Sequence, residues 1–224
     1  MKSKILDSSH RKNFFIRSIF WLDKWTDLLG IIERKRAVWI LNNFPIDKWM
    51  INSSKVLDIG SGIGDIPTLL HRRTSNEVFG IDLVDYRRKE IKYLNKFYFI
   101  IANCYNLPFL NNQFENVLFL VTLHHLWEPH KAIKEAMRVL KHNGRLIILE
   151  DIIGHPKSWL TLLTKFIDGL INLNFVGNPN TQKSQNDWLI TIETLKLNII
   201  HSYTISWGPF FKSLKLGIFI LEKG

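Results

Sequence analysis

Between Lys55 and Asp151 the chain alternates five short apolar runs, KVLDI, EVFGID, FYFII, NVLFLV and RLIILED, with amphipathic stretches. Each run has the length of a strand and is apolar at successive positions, not at every second one, so both of its faces must be buried. Strands covered on both faces by helices belong to parallel α/β sheets. Helices are expected between them over Ile66 to Arg73, Arg87 to Lys96 and Pro129 to Lys141, the last closed by Asn143-Gly144 as a left-handed cap. Right-handed crossovers then give a doubly wound sheet.

Upstream, residues 11 to 50 read as helix: Phe15, Ile19, Leu22, Trp25, Leu28, Leu29 and Ile32 recur at spacings of three and four before a second segment, Ala37 to Asn43, and Pro45 ends the pattern. Downstream come a helix-like stretch from Lys157 to Leu173, a polar loop from Asn178 to Asn186, a helix from Asp187 to Leu195, and strands over Ile199 to Ser206 and Leu216 to Leu221. The expectation is a sheet of seven mostly parallel strands with helices on both faces. A helical lid over residues 1–50 packs on a core over 51–224, with a helical insertion at about 155–190. At 224 residues and 46% hydrophobic, one domain with a full core is the default.

Charge and cysteine usage narrow the partners. The formal charge is +10, but lysines outnumber arginines two to one and the excess runs along the whole chain. That distribution reads as a solvated surface and speaks against a nucleic-acid partner. A single cysteine, Cys104, forms no intramolecular disulfide and no Cys-rich zinc framework, which fits a reducing cytoplasm. The opening residues MKSKILDSSHRKN lack the apolar run of a secretory signal. The runs Phe14 to Leu22 and Trp159 to Phe175 are too short, or are broken by Lys165 and Asp168, to span a bilayer. The expected location is cytoplasmic. Arg11, Lys12, Arg17, Lys24 and Arg34-Lys35-Arg36, interleaved with aromatics, allow peripheral contact with an anionic membrane through the N-terminal helices.

The sharpest local signal is VLDIGSGIGD, residues 56–65: an apolar strand, a carboxylate at Asp58, then Gly60, Gly62 and Gly64 before a helix. Glycines there let backbone touch a ligand, and the following helix start exposes unpaired amides. A dinucleotide site would want G-x-G-x-x-G with a pyrophosphate on the helix end. Here the last position is Asp65, which would repel a pyrophosphate but tolerates a neutral ribose or a zwitterionic methionine moiety.

D-x-G-x-G-x-G after the first strand resembles motif I of the class I S-adenosylmethionine-dependent methyltransferases, in particular their type 11 group, which acts mostly on small molecules. The rest of the series follows in order. The second strand ends in Asp82 of VFGIDL, where the family places a carboxylate on the ribose hydroxyls. Ala102, Asn103 and Cys104, then Leu107-Pro108-Phe109, resemble the family's G-D-A-x-x-L-P-F segment, with Asn103 in place of the acidic residue that meets the adenine amine. Residues 114–151 resemble its fourth strand, following helix and fifth strand, so the likeness covers residues 55–151. It implies a Rossmann-like fold, S-adenosyl-L-methionine as cofactor, and a cofactor site built from Asp58, Gly60, Ser61, Gly62, Asp82, Leu83, Asn103, Cys104 and Val121.

A sulfonium methyl donor is already reactive, so such a protein mainly orients a nucleophile and excludes water. If the acceptor needs a base, the candidates stand at the ends of the fourth and fifth strands: His124 and His125, with Glu150 and Asp151 better read as orienting backbone or the methionine amine. A metal on His124, His125 and His130 is not expected, because adjacent residues on an extended segment point apart. The acceptor is expected to be small or lipid-like, covered by aromatic segments at Asn13 to Trp49 and His155 to Trp188, most of whose rings pack the lid to the sheet. Competing readings are an RNA or protein methyltransferase, a nicotinamide oxidoreductase, and a cofactor-binding but catalytically silent subunit.

Overall fold

The computed structural model describes residues 22–52, 54–74, 76–94, 96–154, 159, 161–162, 181–195, 197–207 and 214–224. The expectations placed on Phe15, Ile19 and most of Lys157 to Leu173 fall outside these residues, as do the side chains of Trp25, Leu28, Leu29 and Ile32. The strands are β1 Lys55–Ile59, β2 Glu77–Asp82, β3 Tyr98–Ile101, β4 Phe114–Leu120, β5 Leu140–Ile152, β6 Asn198–Trp207 and β7 Leu214–Glu222. They form one seven-stranded sheet in the order β3-β2-β1-β4-β5-β7-β6. β1 to β5 pair in parallel, and β7 runs antiparallel to both β5 and β6. The sheet is therefore the doubly wound, mostly parallel one expected. The order turns back between β1 and β4, and in such sheets the crevice beyond the carboxyl ends at this point is where ligands bind.

The described helices are α1 Leu22–Asn43, α2 Ile46–Trp49, α3 Asp65–Arg73, α4 Lys89–Leu94, α5 Pro129–Val139 and α6 Gln185–Glu193. They divide between two faces. Alternate residues of the central strands, among them Leu57, Val117, Phe119, Leu146 and Ile148, pack with Ala132, Ile133 and Ala136 of α5 and with Trp188 and Ile192 of α6. The other set, Val56, Leu118, Ile147 and Leu149, packs with Ile40, Leu41 and Phe44 at the end of α1, Ile46 of α2, Leu70 of α3 and Ile91 of α4. α5 shows why such a helix forms where it does. Pro129 occupies its first turn, where a missing N–H costs nothing, and its buried Ala132, Ile133, Ala136 and Val139 make one stripe.

Three of the differences in element edges from the sequence reading have clear local causes. α1 runs without a break through Arg34-Lys35-Arg36, since neither Gly nor Pro interrupts Ile31 to Asn43 and those side chains are good helix formers. α5 ends at Val139, because Leu140 leaves the helix to pair with Phe114 of β4; Asn143 has the left-handed backbone expected of it (φ 58°), but inside the irregular start of β5. α6 begins at Gln185 instead of Asp187. Ser184 and Asp187 close a reciprocal capping box, the Ser184 hydroxyl accepting from Asp187 N and the Asp187 carboxylate from Ser184 N.

Candidate functional site

β1 delivers the chain into the glycine loop, where Gly60, Gly62 and Gly64 all have positive φ (80°, 51° and 83°). Their reasons differ. A Cβ on Gly60 would lie 2.3 Å from Thr122 Cγ2, so the absent side chain lets the loops after β1 and β4 meet. A Cβ on Gly62 would meet nothing within 4 Å, so bare backbone there faces open space. Asp82, at the end of β2, ties the loop down: its Oδ2 accepts from Gly62 N at 2.9 Å and its Oδ1 from Leu83 N at 2.7 Å. The carboxylate keeps lone-pair capacity for a ligand hydroxyl.

A cavity of about 200 Å³ opens at this edge. Gly60, Ser61, Gly62, Asp82, Leu83, Cys104 and Val121 line it, as does His125. Three of the residues singled out from the sequence do not. Asp58 is 2% exposed and lies away from the wall; burial, then the neighbouring Asp82 charge, pushes its carboxyl up to about 7. Asn103 is exposed, its Oδ1 accepting from Tyr105 N at 2.9 Å, so its carbonyl caps its own turn. His124 is fully buried beside Glu150. The Cys104 thiol, pushed up to about 12 by burial, is a small apolar wall group, not a nucleophile.

The loop after β4 is the most constrained part of the site. Val121 has φ 60°, a left-handed conformation that costs a β-branched residue about 1–3 kcal/mol and needs support from around it. Glu150 of β5 supplies that support. Its Oε1 accepts from Thr122 N (2.8 Å) and Leu123 N (2.5 Å), and His124 donates Nδ1–H to its Oε2 (2.6 Å). The two histidines lie on a 3₁₀ turn, Leu123–His125, with ring centroids 3.9 Å apart; the extended geometry that would have separated them is corrected. Among the described residues no three His, Cys, Asp or Glu side chains gather as metal ligands. Thr181 braces the turn from outside, its N–H and hydroxyl both donating to His124 O.

Alternation along β5 sends Glu150 to one face of the sheet and Asp151 to the other. Asp151 accepts from Arg36 Nη2 at 2.8 Å, which ties α1 to the strand end; Arg36, Ala37 and Ile40 supply the α1 side of the cavity. Sequence reasoning missed Arg36, Thr122 and Tyr86 as wall residues. Arg36 sits 115 positions from its partner, a separation no local pattern reports. Substituting Asp82→Ala removes the tether to Gly62 and the carboxylate. It is expected to weaken S-adenosylhomocysteine binding at least ~100-fold by calorimetry, and affinity within twofold of wild type would exclude Asp82 from the site.

Comparison with known proteins bears on what this edge holds. Residues 57–148 match a family model described as a methyltransferase domain. The chain is 33% identical over 182 residues to the ubiquinone/menaquinone biosynthesis C-methyltransferase UbiE of Rickettsia prowazekii, covering 70% of this chain and 73% of that protein. The chain belongs to the S-adenosylmethionine-dependent methyltransferases. It is 27% identical over 183 residues to the demethylmenaquinone methyltransferase of Thermotoga maritima, covering 76% of this chain and 78% of the relative. The fold of this methyltransferase is also that of a crystal structure of a Methanosarcina mazei S-adenosylmethionine-dependent methyltransferase, with a TM-score of 0.63 at 18% identity, covering 80% of this chain and 96% of the other. The cavity suits the methyl donor: open backbone at Gly62, a carboxylate at the end of β2 for vicinal hydroxyls, and apolar Leu83, Ala102 and Cys104 beside it.

Proposed function

We propose that this methyltransferase methylates a ring carbon of a lipid-like hydroquinone. The observation that carries the reading is the extent of likeness to relatives named for quinone methylation. It spans 183 aligned positions, about twice the matched domain, and so includes flanking segments of the kind that cover the acceptor. An electron-rich hydroquinone is a carbon nucleophile once a ring hydroxyl gives up its proton, whereas the oxidised quinone is not. When bound, S-adenosylmethionine supplies an electrophilic methyl group. That group would pass to the ring carbon with S-adenosylhomocysteine as the leaving group, and the ring would regain aromaticity by giving up its proton.

On this reading Gly60, Ser61, Gly62, Asp82, Leu83, Cys104 and Val121 hold the donor. His125, the cavity-lining histidine, takes the acceptor's proton. His124 is a positioning residue that holds the His125 ring through their contact and is itself held by Glu150. No described helix is long and apolar enough to cross a membrane. Of the basic run in α1, Arg34 and Lys35 are exposed while Arg36 turns inward to Asp151, which leaves the first two to face an anionic surface that carries the acceptor.

The test is an assay with labelled S-adenosylmethionine and reduced demethylmenaquinone presented in anionic vesicles, read by product mass, with sedimentation of the protein as a second readout. A mass gain of one methyl on the ring, about 100-fold lower in His125→Ala, is the expected result. Turnover of the oxidised quinone at the same rate, or methylation only on oxygen, would overturn the carbon-nucleophile reading. Protein left in the supernatant while turnover proceeds would remove the membrane contact alone.

A further inference from the structure

A carboxylate follows the third glycine of the loop. Asp65, the first residue of α3, is 7% exposed and lines the donor cavity. Its Oδ1 accepts from Arg88 Nη2 at 2.6 Å. Its Oδ2 is buried and has no hydrogen-bond partner. An acidic residue in a first helical turn is favoured by the helix dipole, but an exposed one gains that benefit without desolvation. Nor does Asp65 cap the helix: it stands one position inside the Gly64 cap, no side-chain cap bond is made there, and Pro67 at the third position has no N–H to offer. Burial pushes the Asp65 carboxyl up although Arg88, bonded to Oδ1, and the charge of Arg34 pull it down; Glu90 adds to the rise.

The missing partner must be a hydrogen-bond donor, and a cation best of all. S-adenosylmethionine carries two positive centres. The sulfonium has no N–H to offer, whereas the α-ammonium has three. We propose that Asp65 is a donor-binding residue whose Oδ2 accepts a hydrogen bond from the α-ammonium of the cofactor's amino-acid end, with Arg88 fixing the carboxylate through Oδ1. Asp65 then selects ligands that carry the amino-acid end over bare nucleosides. It also gives the position a reason to be acidic in a loop where a dinucleotide site would want glycine.

Calorimetry on the full chain tests this with three ligands. S-adenosylhomocysteine carries the ammonium, its deaminated analogue keeps the carboxylate alone, and 5′-methylthioadenosine lacks the amino-acid end. Asp65→Asn, close in shape, is expected to weaken S-adenosylhomocysteine on the order of tenfold to a hundredfold. The other two ligands should bind wild type and variant within about twofold, and their retained binding shows that the loop is still folded. Arg88→Gln should give a smaller loss with the same selectivity. Equal weakening of all three ligands would make Asp65 a support of the loop, and an unchanged S-adenosylhomocysteine affinity would put the ammonium elsewhere. Either result overturns the proposal. A wild-type chain that binds S-adenosylhomocysteine but does not turn over a hydroquinone would count against the proposed acceptor and leave this assignment standing.

Discussion

Glu150→Ala is expected to lower stability by about 3–5 kcal/mol, the cost of removing one side of a buried charged network, and to lower the melting temperature on the order of 10 °C for a chain of this size. The reason is local. Glu150 is completely buried, and truncation leaves Thr122 N, Leu123 N and His124 Nδ1 facing the gap. Val121, strained one residue upstream, then loses the anchor that keeps the loop in place. Glu150→Gln should separate support from chemistry. Its carbonyl can take the two backbone amides, but its NH₂ then faces His124 Nδ1 and forces that ring to accept there, which reverses the tautomer. Thermal melts near wild type with turnover at least ~10-fold lower are expected. A Glu150→Ala protein that melts within about 2 °C of wild type would show that the loop does not depend on Glu150.

Gly60→Ala and Gly62→Ala should fail in opposite ways although both glycines have left-handed backbone. The methyl at position 60 would press on Thr122, whose backbone N–H is already committed to Glu150 and whose hydroxyl donates to Leu120 O. Backbone strain and overpacking together cost about 2–5 kcal/mol, and donor binding should be lost with the fit of the two loops. Adding Thr122→Ala removes the nearest two atoms and should restore roughly half of the stability. At position 62 the methyl has room, so Gly62→Ala should cost only about 1 kcal/mol yet abolish donor binding, because the methyl occupies space that the ligand needs. Equal stability losses in the two single variants, measured by denaturant unfolding, would contradict this division of roles.

The two glycines also mark where local pattern stops being informative. The run Gly60, Gly62, Gly64 announces a turn of close backbone approach, but only the contact with Thr122 separates a packing glycine from one that faces open space. Asp58 and Asn103 are similar. Motif position nominated both for the cofactor, yet Asp58 stays off the cavity wall and Asn103 spends its carbonyl on its own turn. Helix edges went the same way. The capping box at Ser184 is a local signal and was readable in principle, whereas the early end of α5 depends on Leu140 finding Phe114 in the neighbouring strand.

From the sequence alone came the sheet, its parallel character and the glycine loop, and from its resemblance to a known family came the class of cofactor. The first three follow from hydrophobic period or from residues adjacent in the chain, and short-range order is what such patterns encode. The tertiary structure decided the rest: Arg36 meeting Asp151, Glu150 holding both the strained loop and His124, His125 standing on the wall while His124 stands behind it, and the buried, half-paired carboxylate of Asp65. These depend on which groups converge at the carboxyl edge of the sheet from strands and helices far apart in the chain. Burial there sets the cost of every unmatched polar atom, and so decides which of the conspicuous residues must find partners.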